Sequence, residues 1–128
     1  MNDPSAIRIH DDLMHYMFDT LKWIPSFNPD KRVPYSGLCT CGNTVIKSDG
    51  AVIAARVFHA WANLFAHGPE QLCLTGLWSS TEGEPHSGQY LRIEVRRDEV
   101  VSKLMILAGY ADQVAESNDE LYMLHMGI

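Results

Sequence analysis

The segment from Gly50 to Trp78 restricts the fold of this chain more than any other, because its pattern predicts a helix, a turn and a strand in succession. Apolar residues recur there three or four positions apart, which is the spacing of one helix face. The stripe consists of Val52, Ala55, Phe58, Ala62 and Phe65, widened by Trp61 and Leu64. His67-Gly68-Pro69 ends the helix, since Gly can adopt a left-handed backbone and Pro cannot continue a helix. Gln71 to Trp78 is then predicted to be a strand.

The part of the chain that precedes this unit predicts one helix and one extended segment. A helix is expected from about Asp11 to Ile24, and Pro25 to Pro34 is expected to be a loop because of its prolines. Leu38 to Lys47 is predicted to be extended, with Gly42-Asn43 as either a tight hairpin or a bulge. Ser48-Asp49 is expected to cap the central helix.

The part that follows predicts strand, helix and strand. Gln89 to Arg96 is expected to pair antiparallel with the first strand across an exposed SSTEGEPHSG loop, and Thr75-Gly76 is expected to mark a bulge or a close backbone approach. Leu91, Ile93 and Val95 would form its buried face. Asp98 is expected to cap a last helix that reaches about Glu116, and Leu121 to Met126 is predicted to be a buried central strand.

This order of elements defines the fold class that we expect. It is an α/β (α+β) fold in which about three helices pack on a mixed, largely antiparallel sheet. The 128 residues suit one globular domain, 1–128. A hydrophobic content of 46% with 20% charged residues argues against disorder.

The sequence predicts a cytoplasmic protein, both from its lack of targeting signals and from its cysteines. No apolar run approaches the roughly 20 residues that cross a bilayer, and the first residues do not resemble a signal peptide. The odd set of Cys39, Cys41 and Cys73 suits a reducing compartment. We expect buried, apolar cysteines; the alternative is a redox or metal role for Cys39 and Cys41, which a strand would place on one face.

The charge of the chain favours a cationic partner. Sixteen acidic against ten basic residues give a net charge of −6, which disfavours nucleic acid and anionic membranes as partners. The alternative is that the acids only keep the protein soluble. They cluster at Asp11, Asp12 and Asp19, at Glu82 and Glu84, and at Asp112, Glu116, Asp119 and Glu120.

The motifs that carry catalysis or cofactors are missing from the sequence. Six histidines form neither HExxH nor a pair at tight ligand spacing, and His10 and His15 are five positions apart, so no metal site is predicted. His59 and His125 are expected to be hydrogen-bonded structural residues. No GxSxG, GxGxxG or Walker loop occurs, so we predict no catalytic residue, no cofactor and no enzymatic activity.

Several segments distributed along the chain bear on its family, namely WIPSFNP, CGNTVIKSDGA, AWANLF followed by GP, LTGLW, and the closing LYMLHMGI. Together they resemble small cytoplasmic immunity proteins of bacterial toxin systems, such as polymorphic toxins, contact-dependent inhibition and secretion-system effectors. The resemblance implies a compact acidic domain that binds a toxin domain and blocks its active site without catalysis. It transfers no site residue to this chain.

Charge and predicted exposure alone therefore select the toxin-binding residues. We expect Trp78, Glu82, Glu84 and Tyr90, and then Asp11, Asp12 and Asp19, to contact a basic toxin domain, for example a nuclease. One alternative is a small enzyme or ligand-binding domain that uses a histidine or a cysteine pair in a pocket. Another is an accessory subunit with a permanent apolar interface.

Overall fold

The computed structural model describes residues 5–39, 42–81 and 83–127, with the backbone alone for residues 81 and 84–87. Within these residues the chain forms three helices and six strands, and all strand pairs are antiparallel. The α+β class is confirmed. The elements are α1 (Asp11–Leu21), β1 (Pro25–Asn28), β2 (Val33–Ser36), β3 (Asn43–Ile46), α2 (Ser48–Ala66), β4 (Gln71–Thr81), β5 (Glu84–Arg96), α3 (Arg97–Glu116) and β6 (Met123–Met126).

The contact between α2 and α3 is the most extensive contact between helices in the described chain. The helices run in opposite directions, since the start of α2 meets the end of α3. Alanine side chains on both helices are almost completely buried, and alanine lets two helix backbones approach closely. These residues are Ala51, Ala54, Ala55 and Ala62 on α2, and Ala108 and Ala111 on α3.

The buried face of α2 differs in part from the predicted stripe. Phe58 and Phe65 are buried as expected, whereas Val52 and Leu64 are exposed. The face that meets α3 is rotated toward the small residues of the helix, which pack closer than Val or Leu would. The helix ends at Ala66 as predicted, although Gly68 does not have a positive φ. A Cβ at Gly68 would lie 2.5 Å from Leu72 Cδ2, so this glycine makes room for the strand that follows.

A reciprocal pair of hydrogen bonds joins the start of α2 to the loop after α3. Ser48 N donates to Asp119 Oδ1 at 3.0 Å, and Asp119 N donates to Ser48 Oγ at 2.8 Å. Ser48 Oγ also donates to Val114 O at 2.7 Å. Asp49 Oδ1 also accepts a hydrogen bond from Gly50 N at 2.8 Å, as the predicted Ser48-Asp49 cap requires, while the amide of Ser48 is satisfied by the carboxylate of Asp119.

Two helix ends differ from the predictions. Asp98 lies inside the first turn of α3 and accepts a hydrogen bond from Arg97 Nε at 2.9 Å, so it is not the cap. Helix α1 ends at Leu21, before the predicted Ile24, and a turn with a bond from Ile24 N to Leu21 O follows. This turn leads directly into β1.

The loop prediction for Pro25 to Pro34 is wrong, because this segment forms most of the β1–β2 hairpin. Asn28 Oδ1 accepts hydrogen bonds from the amides of Asp30 and Lys31, both at 3.0 Å, and so builds the turn. Pro25 is the first residue of β1, and Pro34 lies on β2 at the edge of its sheet. Proline is tolerated at both kinds of position.

The larger sheet has the strand order β2-β1-β3-β6. Extended structure between Leu38 and Lys47 is confirmed for β3, but the Gly42-Asn43 pair does not form a tight hairpin within the described residues. The prediction of a buried central strand at the end of the chain is wrong. In the described structure β6 pairs with β3 alone, and Leu124 and Met126 are 50% and 75% exposed.

Strands β4 and β5 form a separate hairpin, so the strands occupy two sheets and not the single predicted one. Their antiparallel pairing is confirmed, and the register shifts between Thr75 and Trp78, where a bulge was expected. The prediction of a loop at SSTEGEPHSG is wrong for most of this segment, because β4 continues to Thr81 and β5 begins at Glu84. Gly83 has a φ of 83° in the short turn.

Among the described residues, no helix combines the length and the apolar character that a bilayer span requires.

Substitution of Ser48 by Ala should lower the free energy of unfolding by about 1–2 kcal/mol, because it removes two hydrogen bonds between α2 and the end of α3. Urea unfolding followed by circular dichroism measures this change. Ser102→Ala on the exposed side of α3 is the matched control and should be neutral or slightly stabilising. Equal losses in the two variants would show that the Ser48 bonds contribute nothing.

The stability should fall in mild acid because of His125. Its Nδ1 is buried without a hydrogen-bond partner among the described residues, so this atom lacks the hydrogen bond expected of a structural histidine. Desolvation lowers the pKa of His125 from 6.5. Because the unfolded chain then binds the proton more tightly, acid favours unfolding. The contribution of neutral His125 to the free energy of unfolding is fully present above pH 6.5 and is lost as the pH falls below 6.5 toward the lower pKa of the folded state.

Urea unfolding at pH values on either side of this pKa tests the histidine. The wild-type protein should lose more stability on acidification than His125→Gln, which has no titrating group at this position. His67→Gln is the matched substitution at an exposed position. If His125→Gln and the wild-type protein lost equal free energy on acidification, His125 would not be the source of the acid sensitivity.

Candidate functional site

Two aromatic residues pack against each other on the outer part of the β4–β5 hairpin. Trp78 and Tyr90 are directly opposite in the strand register, and their rings meet edge to face with centroids 5.0 Å apart and an interplanar angle of 77°. Trp78 is 58% and Tyr90 60% exposed. Both predicted aromatic residues are thus adjacent and accessible.

The β-bulge aligns this aromatic pair. Without it, the pairing of Thr75 with Arg92 would continue two residues further to place Leu77 opposite Tyr90. The extra residue on β4 brings Trp78 there instead. Gly88 then accommodates the indole, because a Cβ on Gly88 would overlap the Trp78 ring. The ring therefore lies against bare backbone on one side and against Tyr90 on the other.

Apolar side chains occupy the other face of the same part of the hairpin. Leu77 and Leu91, the sequence neighbours of Trp78 and Tyr90, are 57% and 37% exposed. The expectation that Leu91 belongs to a buried face is therefore wrong, although Ile93 on the same face is buried. The difference arises because the core covers the base of the hairpin and does not reach its outer part.

A small charged cluster adjoins the aromatic pair on the outer face. Arg92 Nη2 donates to Cys73 Sγ at 3.1 Å and lies 3.4 Å from Glu94 Oε1. The hydrogen bond to Cys73, with smaller effects of the Cys73 and Glu94 charges, raises the pKa of Arg92 above its ordinary value, so Arg92 stays cationic. Exposed ion pairs contribute little to stability, which leaves these charges available to a partner. Cys73 is exposed, contrary to the expectation of buried cysteines.

The side chains of the predicted acidic residues of the hairpin lie outside the described part of the structure. Glu82 lies outside the described residues, and Glu84 is described by its backbone alone, at the start of β5 opposite Thr81. Their assignment to the site remains a prediction from sequence.

The predicted acidic residues of α1 are placed apart from the aromatic pair. Asp11 and Asp12 lie in the first turn of α1, and Asp11 borders a groove that Gln71 also lines at the base of the hairpin. Trp78 is seven residues further along β4, about 20 Å away at the usual rise of a strand. Asp19 lies near the other end of α1, where its carboxylate is 3.8 Å from Lys22 Nζ. The predicted residues therefore do not form one site.

Chemistry based on histidine, cysteine or metal has little geometric support. Among the described residues, no group of three or more His, Cys, Asp and Glu side chains is placed to hold a metal ion. His59 Nε2 lies 3.5 Å from Asp112 Oδ2 on the exposed side of α2 and α3. Cys39 is half-buried outside any strand, and Cys41 lies outside the described residues, so the expected shared face of these cysteines is not described.

Comparison with known proteins gives no relative from which a site could be transferred. No protein-family model, no curated protein and no solved structure matches the chain.

Replacement of Gly88 by Ala should displace the Trp78 indole, because the added Cβ would occupy its position. The measurement is ¹⁹F NMR of protein labelled with 5-fluorotryptophan, in which Trp78→Phe assigns the Trp78 resonance. This resonance should shift while those of Trp23 and Trp61 stay in place. Gly109→Ala is the control, since a Cβ there meets nothing within 4 Å. An unchanged Trp78 resonance in Gly88→Ala would contradict the described packing.

Proposed function

We propose that this protein is a non-enzymatic immunity protein that binds a cognate bacterial toxin domain in the cytoplasm and neutralises it by occluding its active site. The observation that carries the proposal is the exposed, edge-to-face pair of Trp78 and Tyr90. Exposed aromatic residues are the side chains most often found at the energetic centre of protein interfaces. Their mutual packing reduces the conformational entropy that binding would otherwise remove.

The outer part of the hairpin also lacks support from the rest of the described structure. A two-stranded hairpin on its own is marginally stable in water. Here Leu77 and Leu91 expose apolar surface on one face while Trp78 and Tyr90 expose it on the other. A partner with a concave cleft that encloses the outer hairpin would cover both faces.

Charge supports a basic toxin as the partner. The net charge of −6 favours rapid encounter with a cationic domain, and nucleases, which bind phosphate groups, are basic enough to qualify. The acids of α1 lie away from the aromatic pair and would act by steering the approach. Close contacts near Tyr90 would involve the Arg92–Glu94 ion pair.

A second candidate is a permanent subunit of a larger assembly. The exposed Leu77 and Leu91 favour it, since obligate interfaces are more apolar than transient ones. The two candidates differ in their response to salt. Binding that relies on charge for association slows in high salt, whereas an apolar interface does not.

Purification of the tagged chain from its native cells tests the proposal directly. Parallel low-salt and high-salt washes with mass spectrometry would identify any stoichiometric protein. Recovery of a basic domain that arrests growth when expressed alone, and is harmless when expressed with this chain, is the expected result. A harmless partner retained equally at both salt concentrations would support the permanent subunit and contradict the immunity function.

Once that toxin domain is purified, Trp78→Ala and Tyr90→Ala should each weaken its binding by about 2 kcal/mol, or about 30-fold in Kd, since both remove anchoring aromatic area. Isothermal titration calorimetry measures the affinities. Trp23→Ala is the matched control, because Trp23 is 67% exposed but lies beyond the end of α1. Loss of affinity in the Trp23 variant with none in the Trp78 variant would place the interface elsewhere.

A further inference from the structure

The groove at the base of the β4–β5 hairpin lies where three parts of the chain meet. Its walls are the residues around the start of α1, the base of the hairpin and the first turns of α3. The groove has a volume of about 590 Å³, which is within the range of roughly 300–1,000 Å³ that holds small molecules in proteins. A concave site of this size is large enough for a small organic ligand.

The bottom of the groove is apolar. Leu13 from α1 and Val100 from α3 line it and are buried, and Ile9 and Val95 line it and pack against the same core. Side chains that border an open groove and are nevertheless buried lie at its bottom. A ligand in the groove would therefore place an apolar part on these residues.

Two of the acidic groups at the rim are neutralised by neighbouring cations. Glu99 Oε1 lies 3.3 Å from Lys103 Nζ, one turn further along α3. Glu94 Oε1 lies 3.4 Å from Arg92 Nη2 on β5. These carboxylates therefore contribute little net charge to the groove.

Two arginine side chains at the rim have no such partner. Within the described parts of the chain, Arg8 and Arg96 neither form an ion pair nor donate a side-chain hydrogen bond. Gln71 is opposite Arg96 in the strand register, so its amide lies on the same face of the hairpin. The rim thus offers two guanidinium groups whose donors are unused.

We propose that this groove binds a small organic monocarboxylate, whose carboxylate is held by Arg8 and Arg96 and whose apolar part rests on the bottom of the groove. The guanidinium group is a planar fork of donors that matches the two oxygens of a carboxylate. Ile9 and Val95, the neighbours of the two arginines in sequence, belong to the apolar lining. Polar head and apolar part of the ligand are thus recognised side by side.

The charge of the groove favours a ligand with a single negative charge. Asp11 also lines the groove, and its carboxylate has no ion-pair partner among the described residues. With His10 counted as neutral, the two arginines exceed this carboxylate by one positive charge, although the chain as a whole has a net charge of −6. A carboxylate matches this excess, whereas a phosphate monoester carries about −1.5 to −2 at neutral pH.

Titration of the ¹⁵N-labelled protein with 3-phenylpropionate, followed by NMR, tests this site. The amide resonances of Ile9, Leu13 and Val100 should shift saturably with a Kd in about the low millimolar range, as expected for so small a ligand. The cation 3-phenylpropylamine has the same apolar part and should not shift them. Phenyl phosphate should bind more weakly than 3-phenylpropionate.

Substitutions at the rim separate recognition of the carboxylate from apolar contact alone. Arg8→Gln and Arg96→Gln should each raise the Kd about tenfold, because a charge-assisted hydrogen bond is lost. Asp11→Asn should lower the Kd, since it removes the opposing negative charge. Arg56→Gln, at an exposed arginine of α2, is the matched control and should bind like the wild-type protein. Circular dichroism verifies the folding of each variant.

Three results would overturn the proposal. They are the absence of saturable shifts, an affinity for 3-phenylpropylamine or phenyl phosphate that equals or exceeds that for 3-phenylpropionate, and wild-type affinity in both arginine variants. The inference goes beyond the proposed function and does not depend on it, because the groove lies at the base of the hairpin and the Trp78–Tyr90 pair on its outer part.

Discussion

The close packing of α2 against α3 is the contact on which the rest of the described structure depends. Alanine on both helices brings the two backbones together, and the bonds between Ser48 and Asp119 fix one end of the pair. The other end is joined by the bond from Arg97 N to Glu70 O, next to the base of the β4–β5 hairpin. The larger sheet is connected to the first end through β3, and the hairpin extends from the second. The helix pair therefore holds the two sheets at opposite ends.

Much of this arrangement follows from local sequence patterns. Helix periodicity predicts α2 and α3 to within a few residues, and alternation predicts the pairing of β4 with β5. The β1–β2 hairpin escapes prediction because proline is tolerated both at the first residue of a strand and on an edge strand, and neighbouring strands are not visible in a local pattern. The bond from Ser48 N to Asp119 at the start of α2 escapes prediction for the same reason, since Asp119 lies 71 residues from Ser48 in the chain.

Exposure is harder to predict than secondary structure, and the candidate site shows why. Trp78 and Tyr90 can be selected from sequence because both lie on the strands that border a polar, glycine-rich segment. Their direct contact cannot, because it requires the register shift after Thr75 and the missing side chain of Gly88. For Leu124 the predicted exposure itself is wrong. A continuous apolar run predicts burial, yet the number of strands beside it is a property of the whole sheet.

The separation between the outer hairpin and the core has a consequence for how this protein can change over evolutionary time. Substitutions at buried positions such as Leu72 or Ile93 alter a packed interior and are strongly constrained. Positions such as Leu77, Trp78 and Tyr90 contribute little to the folded core, so they can vary while the scaffold is retained. Under the proposed function, a lineage could exchange one binding specificity for another through a few hairpin residues while its core stayed the same.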